Sequence, residues 1–208
     1  GLATLLILAI LAVILLNIVI NGLPGLSWHF VSTIPKKDFF DLATTGVLPM
    51  IVGTTFRVFV MTLFVIPIGV ITAIYLTEYA REGSAITRVI RGAINNLAGV
   101  PSIVFGLFGL GFFISFVGKH MDEVLVDGDK IVWGQPSILW ASMTLAVMTL
   151  PVVIVATEES LKAIPQGLRE ASLALGATKL ETILKVVLPQ ALPGIMTGGI
   201  LAVSRAAG

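Results

Sequence analysis

Long apolar runs separated by short polar connections make up most of this 208-residue chain. A helix needs about 20 apolar residues to cross the hydrocarbon core of a bilayer, and five runs come close to or exceed that length. In chain order, the five runs are Leu2–Ile20, Val47–Leu76, Asn96–Val117, Ser137–Thr157 and Val186–Val203. The pattern predicts an all-α membrane helix bundle in which residues 1–208 form a single transmembrane domain.

The first apolar run could also be read as a cleaved secretory signal. Its length is near 20 residues, whereas the apolar part of a signal peptide has about 7–15, and neither a basic segment nor an A-x-A site accompanies it. We therefore expect this run to be a spanning helix that the protein retains.

The polar segment between the fourth and fifth runs, residues 158–189, carries the pattern of two short helices. Pro165 suits the first turn of a helix, because its missing N–H would have no partner there. Gly176 can end that helix in a left-handed conformation. The sequence from Thr178 to Glu181, TKLE, has the form of a capping box, so a second helix is expected to begin at once and to continue into the fifth span.

Both predicted helices are amphipathic, with small or apolar residues at i, i+3, i+4 and i+7. These positions are Leu168, Ala171, Ser172 and Leu175 in the first helix and Leu180, Ile183, Leu184 and Val187 in the second. Such a two-helix corner could be a purely structural hairpin. A helix-turn-helix for DNA has a similar outline, but this segment has few basic residues and is tethered to the membrane at both ends, so no nucleic-acid binding is expected.

Composition agrees with lipid as the solvent and argues against enzyme chemistry. Charged residues make up 12% of the chain, against about 25% in soluble domains. The chain has no cysteine, which excludes disulfides and thiolate metal sites, and its histidines, His29 and His120, have no partner at ligand spacing. No G-x-x-x-x-G-K-[ST] sequence occurs. We expect no catalytic, cofactor-binding or metal-binding residue in this chain.

Lysine and arginine indicate which connections face the cytoplasm, because short cytoplasmic loops retain them. The second-to-third and fourth-to-fifth connections hold seven: Arg81, Arg88, Arg91, Lys162, Arg169, Lys179 and Lys185. The other two connections hold four: Lys36, Lys37, Lys119 and Lys130. The difference predicts a cytoplasmic N-terminus and a cytoplasmic two-helix corner.

Prolines and small residues within the apolar runs indicate a packed bundle rather than isolated anchors. Pro67, Pro101, Pro151 and Pro193 are expected to lie inside the spans, where each would free carbonyl groups for neighbouring helices to satisfy. In the third span Ala98, Ser102 and Gly106 recur every four residues, a spacing that allows another helix to approach closely.

The run EASLALGATKLETILKVVLP resembles the EAA loop of the permeases of ABC importers. The matching positions are Glu170, Ala171, Ser172, Gly176, Val186, Leu188 and Pro189, with serine in place of the second alanine of the motif. The stretches TGVLPMIVGTT, AIYLTEYA, LAGVPSIVFGLFGL, TLPVVIVATEESL and SRAAG are similar to the phosphate-specific permeases, more to the PstA type than to the PstC type.

This resemblance implies the fold of a type I ABC importer permease in a prokaryotic cell membrane, surrounded by membrane lipid. It implies that the EAA segment contacts a separate pair of ATPase subunits, which would bind ATP and Mg²⁺. The residues it assigns to that contact are Glu170, Ala171, Ser172, Gly176, Ala177 and Thr178. It further implies a second permease subunit of the PstC type and an extracytoplasmic phosphate-binding protein as partners. Relatives continue beyond the position of Gly208, so a sixth span is expected there.

Candidate residues of the translocation path are Arg205, Ser204 and Arg57. Arg205 matches an arginine of the family's [SA]-R-[AI]-x-G segment, and a guanidinium can engage phosphate through two hydrogen bonds. Arg57 matches no family motif. Its side chain could either line the path or extend toward the membrane surface, and both alternatives stay open. Val155 stands where many relatives have an arginine.

The sequence therefore predicts the permease subunit of an ATP-driven phosphate importer. Two alternatives stay open: a permease for another oxyanion or small solute, and a membrane anchor whose corner docks a regulatory protein.

Overall fold

The computed structural model describes residues 1–35, 46–81, 83–126 and 130–207. Within these ranges the regular structure is helical and no strand occurs. Five helical segments are long and apolar enough to cross a membrane: Leu2–Gly25, Leu48–Tyr79, Ser102–Leu125, Ile138–Lys162 and Lys179–Ala207. The predicted all-helical fold with five spans is confirmed. Lys36 and Lys37, which contributed to the charge comparison, lie outside the described residues.

The chain divides into two compact units, residues 1–54 and residues 55–208. In the first unit, helix α1 is Leu2–Gly22, a 3₁₀ turn is Leu23–Gly25, and helix α2 is Trp28–Ser32. The Ser27 hydroxyl caps α2 by accepting a hydrogen bond from the Phe30 N–H at 3.1 Å. No residue of α1 is buried, so this apolar helix depends on lipid or on another subunit to cover it.

Helix α3, Leu48–Ile74, begins in the first unit, runs into the second and continues as a π-helical turn, Tyr75–Tyr79. The remaining helices belong to the second unit. They are α4, Ala85–Gly99; α5, Ser102–Phe108; α6, Lys119–Leu125; α7, Ile138–Lys162; α8, Gln166–Ala174; α9, Lys179–Thr182; and α10, Leu188–Ala207. π-Helical segments, Gly109–Gly118 and Ile183–Val187, join α5 to α6 and α9 to α10.

Helix α7 is the centre of the second unit and packs along α10. Two apolar clusters surround it. Their buried members are Ala73, Leu76, Ile154, Leu161, Ile164, Val187, Ala191 and Ile195 in one, and Met61, Val65, Ala146, Val153, Ala202 and Ala206 in the other. Small residues permit the close approach, because a Cβ atom at Gly194 would overlap Ser160 and one at Gly198 would lie 2.7 Å from the Ala156 Cβ.

The start of the third span differs from the prediction. Helix α4 ends at Gly99, Val100 is extended, and Pro101 lies at the N-cap of α5, so Asn96–Gly99 belong to a separate helix. The expectation that Pro101 lies inside a span is therefore wrong, whereas Pro67, Pro151 and Pro193 are inside helices. The physical reason is that proline disfavours helical geometry in the preceding residue.

The small residues that mediate close packing in this span also differ from those expected. Ala98, Ser102 and Gly106 are exposed within the chain, and open space surrounds the position of a Cβ at Gly106. Gly109 takes that role instead, because a Cβ there would overlap the Thr144 side chain of α7.

Candidate functional site

The two-helix corner forms at the predicted residues. Helix α8 ends at Ala174, and Gly176 follows with φ of +87°, a backbone conformation that costs a residue with a side chain about 1–2 kcal/mol. No atom lies within 4 Å of where a Cβ at Gly176 would be. Glycine is required at this corner for its backbone conformation and not for lack of space.

A capping box starts the second helix of the corner, as predicted. The Glu181 N–H donates to the Thr178 hydroxyl at 3.3 Å, and the Thr178 N–H donates to the Glu181 carboxylate at 3.0 Å. Helix α9, the π-helical turn and α10 then form one continuous helical segment, Lys179–Ala207. The corner is thus joined directly to the last span.

The expected ATPase-contact residues fall into two groups. Glu170, Ala171, Gly176 and Thr178 are exposed, whereas Ser172 and Ala177 are half-buried. The Ser172 hydroxyl lies 2.9 Å from the Thr182 hydroxyl, so this serine holds the two helices of the corner together. The structure brings all six residues to one corner.

The apolar face predicted for the second helix is split. Ile183 and Val187 are buried, whereas Leu180 and Leu184 are more than half exposed. The two buried residues are four apart within the π-helical turn, where the Leu188 N–H bonds to the Ile183 carbonyl. The described part of the chain leaves these two leucines uncovered, together with Leu175 at 90% exposure.

Arg169 fixes the first helix of the corner to the bundle. Its Nη2 lies 3.0 Å from the Glu78 carboxylate at the end of the second span and donates to the Leu161 carbonyl at 2.7 Å. The side chains of Arg169 and Glu78 are 20% and 11% exposed. Nearby, Lys179 donates to the Glu78 carbonyl, so both helices of the corner contact the same segment.

Glu158 forms a second ionic contact beside the corner. Its carboxylate, 9% exposed, lies 2.9 Å from Arg91 Nη1 of α4 and 3.1 Å from Lys162 Nζ. Sequence reasoning did not single out Glu158 or Glu78. A signal was available only for Glu158, which has Lys162 four residues later, a spacing that favours an ion pair on a helix.

The charged residues border an open cavity of about 840 Å³. Its walls come from the end of the second span, the start of α4, the last turn of α7 and α8. The lining residues with ionised side chains are Glu78, Arg88, Arg91, Lys162 and Arg169. Within the residues the structure describes, no group of three His, Cys, Asp or Glu side chains could hold a metal ion.

The candidate path residues do not line this cavity. They make no ion pair with the ionic cluster, which consists of Glu78, Arg91, Glu158, Lys162 and Arg169. Ser204 and Arg205 are exposed in the last two turns of α10. Arg57 is half-buried in α3, its carbonyl accepts a hydrogen bond from the Ser142 hydroxyl at 3.0 Å, and its buried Nε has no partner in the described part of the chain. The structure shows no hydrogen bond or ion pair joining these three side chains within that part, and their role stays a prediction.

Residues 65–208 match the family described as the binding-protein-dependent transport system inner membrane component. This match includes the corner, the ionic cluster and Arg205. The chain belongs to this family of ABC importer permeases, and its five apolar spans make it a multi-pass inner-membrane protein.

The names of some relatives state the substrate that they transport. The chain is 35% identical to the probable ABC transporter permease protein YqgI of Bacillus subtilis, over all of this chain and 64% of that protein. It is 37% identical over 163 residues to phosphate transport system permease protein PstA 1 of Mycobacterium tuberculosis, covering 78% of this chain and 48% of the relative. It is 32% identical to phosphate transport system permease protein PstC of Pasteurella multocida, covering 96% of this chain and 67% of the relative. The resemblance to the phosphate-specific permeases is confirmed.

A solved structure supports the same fold. A chain of the MetNI methionine ABC transporter, in an inward-facing conformation, matches with a TM-score of 0.56 and 26% identity, over 78% of this chain and 68% of that one.

The present chain spans about half to two thirds of the length of YqgI and of PstA 1.

Proposed function

We propose that this chain is a permease subunit of an ATP-driven importer for inorganic phosphate. The PstA and PstC names of the relatives support the substrate. The observation that carries the proposal is the corner, because it exposes Glu170 and Ala171 of the EAA motif and its second helix is continuous with the last span. In this proposal the corner faces the cytoplasm, as does the N-terminus, and docks on an ATPase subunit.

The structure suggests how movement would pass from the corner into the membrane. Closure of the ATPase pair would push on Glu170 and the exposed leucines. Arg169, held by Glu78 and the Leu161 carbonyl, would pass that force to the second and fourth spans. The continuous helix Lys179–Ala207 would pass it to the last span, which carries Ser204 and Arg205.

The translocation path is proposed to form between this chain and a second permease subunit. Arg205 is exposed in this chain and has no ion pair with any described residue. A charge buried in a bilayer costs about 2.5–3.5 kcal/mol on insertion scales, so we propose that Arg205, with Ser204, faces a water-filled path between two permease subunits. Arg57 is proposed to line the outer part of that path. An extracytoplasmic binding protein would deliver phosphate to it.

Reconstituted transport tests this proposal directly. The purified complex in proteoliposomes should take up radiolabelled phosphate only when ATP is present on the side of the membrane where the ATPase subunits lie. Glu170→Lys should abolish uptake and remove the coupling of ATP hydrolysis to it, because it reverses a charge on the exposed face of α8. If another oxyanion inhibited phosphate uptake as strongly as unlabelled phosphate does, a permease for a broader class of solutes would be favoured. If the chain purified with a regulatory protein instead of an ATPase, the membrane-anchor alternative would be favoured.

A further inference from the structure

We infer that the cavity beside the corner is a binding site for a phosphoryl-type oxyanion, supplied either as free phosphate or as the headgroup of an anionic lipid. This inference concerns the face of the bundle that carries the corner and does not depend on which solute the spans transport. It rests on the cavity's charges and on how its cations are held.

Cations outnumber acids around this cavity. Four cationic side chains line it, namely Arg88, Arg91, Lys162 and Arg169. Two carboxylates balance them: Glu78, which lines the cavity, and Glu158, which pairs with Arg91 and Lys162. Among the described residues, which omit Glu82, the excess is two positive charges. A doubly charged phosphate ion would complement that excess.

Three of the cations are positioned before any ligand arrives. Arg91 is held by the Glu158 carboxylate and the Leu76 carbonyl, and Arg169 by Glu78 and the Leu161 carbonyl. Lys162 donates to the same Glu158 carboxylate at 3.1 Å. Each guanidinium has five N–H donors, so donors remain for a ligand. The Arg169 Nε–H is buried and has no hydrogen-bond partner in the described part of the chain. Side chains fixed in this way lose little freedom when an anion binds.

The fourth cation, Arg88, is not held by a side-chain contact among the described residues. Its side chain lines the cavity but makes no ion pair or hydrogen bond within the described residues. Arg88 lies on α4, whereas Arg169 lies on α8, and both side chains line the cavity. Several guanidiniums on different walls suit a tetrahedral oxyanion, which can accept bidentate hydrogen bonds on more than one side.

The cavity's size and surroundings admit both sources of the oxyanion. A volume of about 840 Å³ lies within the range of small-molecule sites and exceeds what a single phosphate fills. Helix α4 also exposes Ile86 and Val89, at 64% and 70%, within two residues of Arg88 in sequence. An acyl chain could lie along these apolar residues while a lipid phosphate occupies the cavity.

The test compares two arginines that are seven residues apart. Arg88→Gln removes a cation that lines the cavity, whereas the control Arg81→Gln removes an exposed cation that does not. Neither side chain holds an ion pair among the described residues, so both variants should fold, and equal thermal unfolding midpoints verify this. All measurements use the intact complex carrying Arg205→Ala, which removes phosphate binding by the proposed path.

In nanodiscs of phosphatidylcholine alone, calorimetry with inorganic phosphate should show binding that Arg88→Gln weakens about tenfold and Arg81→Gln changes less than about twofold. If phosphate does not bind, native mass spectrometry after reconstitution with phosphatidylglycerol should show a retained lipid that Arg88→Gln releases, which assigns the headgroup as the source. Absence of both ligands, or equal effects of the two variants, overturns the inference. ATP-driven phosphate uptake by the unmodified complex is measured separately, so failure of the proposed function is distinguishable.

Discussion

The second helix of the corner and the far end of helix α10 belong to one continuous helical segment, yet the polar side chains of the corner and of that far end differ in one respect. At the corner, Ser172 contacts Thr182 and Thr178 exchanges hydrogen bonds with Glu181. At the far end, Ser204 and Arg205 are exposed and hold no ion pair within the described residues. The described residues therefore stabilise the corner by hydrogen bonds of their own, whereas they leave the polar groups at the end of the last span uncovered.

The largest expected effect is at the far end. Arg205→Ala should lower phosphate uptake by about 10- to 100-fold, because it removes a charge-assisted hydrogen bond to the substrate, while leaving the unfolding midpoint unchanged. Arg205→Lys is the control, since it keeps the charge and loses the bidentate geometry, and should give an intermediate rate. If Arg205→Ala left phosphate uptake unaffected, Arg205 would not belong to the path, and the far end of α10 would not differ in function from the corner in the way proposed.

The next largest effect is expected in the ionic cluster beside the corner. Glu158→Gln leaves Arg91 and Lys162 without their shared carboxylate. Breaking a buried pair costs about 3–5 kcal/mol, but both cations are partly exposed, so we expect about 2 kcal/mol of unfolding free energy to be lost. The matched control is Glu159→Gln, which alters the exposed neighbour. Equal unfolding curves for the two variants would show that the cluster does not stabilise the chain.

A smaller effect separates the backbone of the corner from its side chains. Gly176→Ala places a side chain at φ of +87° in open space and should cost about 1–2 kcal/mol. Gly167→Ala, in α8 with open space at its Cβ, should instead stabilise by about 0.5–1 kcal/mol. Chemical denaturation of both variants measures the difference, and a stabilising Gly176→Ala would contradict the assigned role of this glycine.

The smallest effect concerns the start of the second helix. Thr178→Ala removes the hydroxyl that accepts from the Glu181 N–H and should cost about 1 kcal/mol. Thr178→Ser keeps the hydroxyl and is expected to restore nearly all of the lost stability. A loss of the same size in both variants would mean that the threonine methyl group, and not the cap, matters here.

Local rules predicted the corner well because its features depend on neighbours in sequence. Gly176 and the pair Thr178 and Glu181 follow from backbone geometry and capping. The five spans follow from run length, although the break at Pro101 shows that an apolar run need not be one helix.

The ionic cluster could not be predicted in the same way. Glu78, Arg91 and Arg169 lie in the π-helical turn Tyr75–Tyr79, in α4 and in α8, and they meet their partners only in the folded chain. Nothing in their local sequence specifies those partners. The split of the second apolar face, with Leu184 exposed and Ile183 buried, follows from a π-helical turn that an ideal helical period does not contain.

That π-helical turn, Ile183–Val187, has one more residue than an α-helical turn would need between the corner and the last span. A deletion of one residue within it would let the turn close with ordinary α-helical hydrogen bonds, so the corner would keep nearly the same direction relative to α10. A deletion within α10 itself would instead turn the corner by about 100° about the helix axis. The chain is therefore expected to tolerate a shorter π-helical turn better than a shorter α10, provided that the buried Ile183 and Val187 are kept.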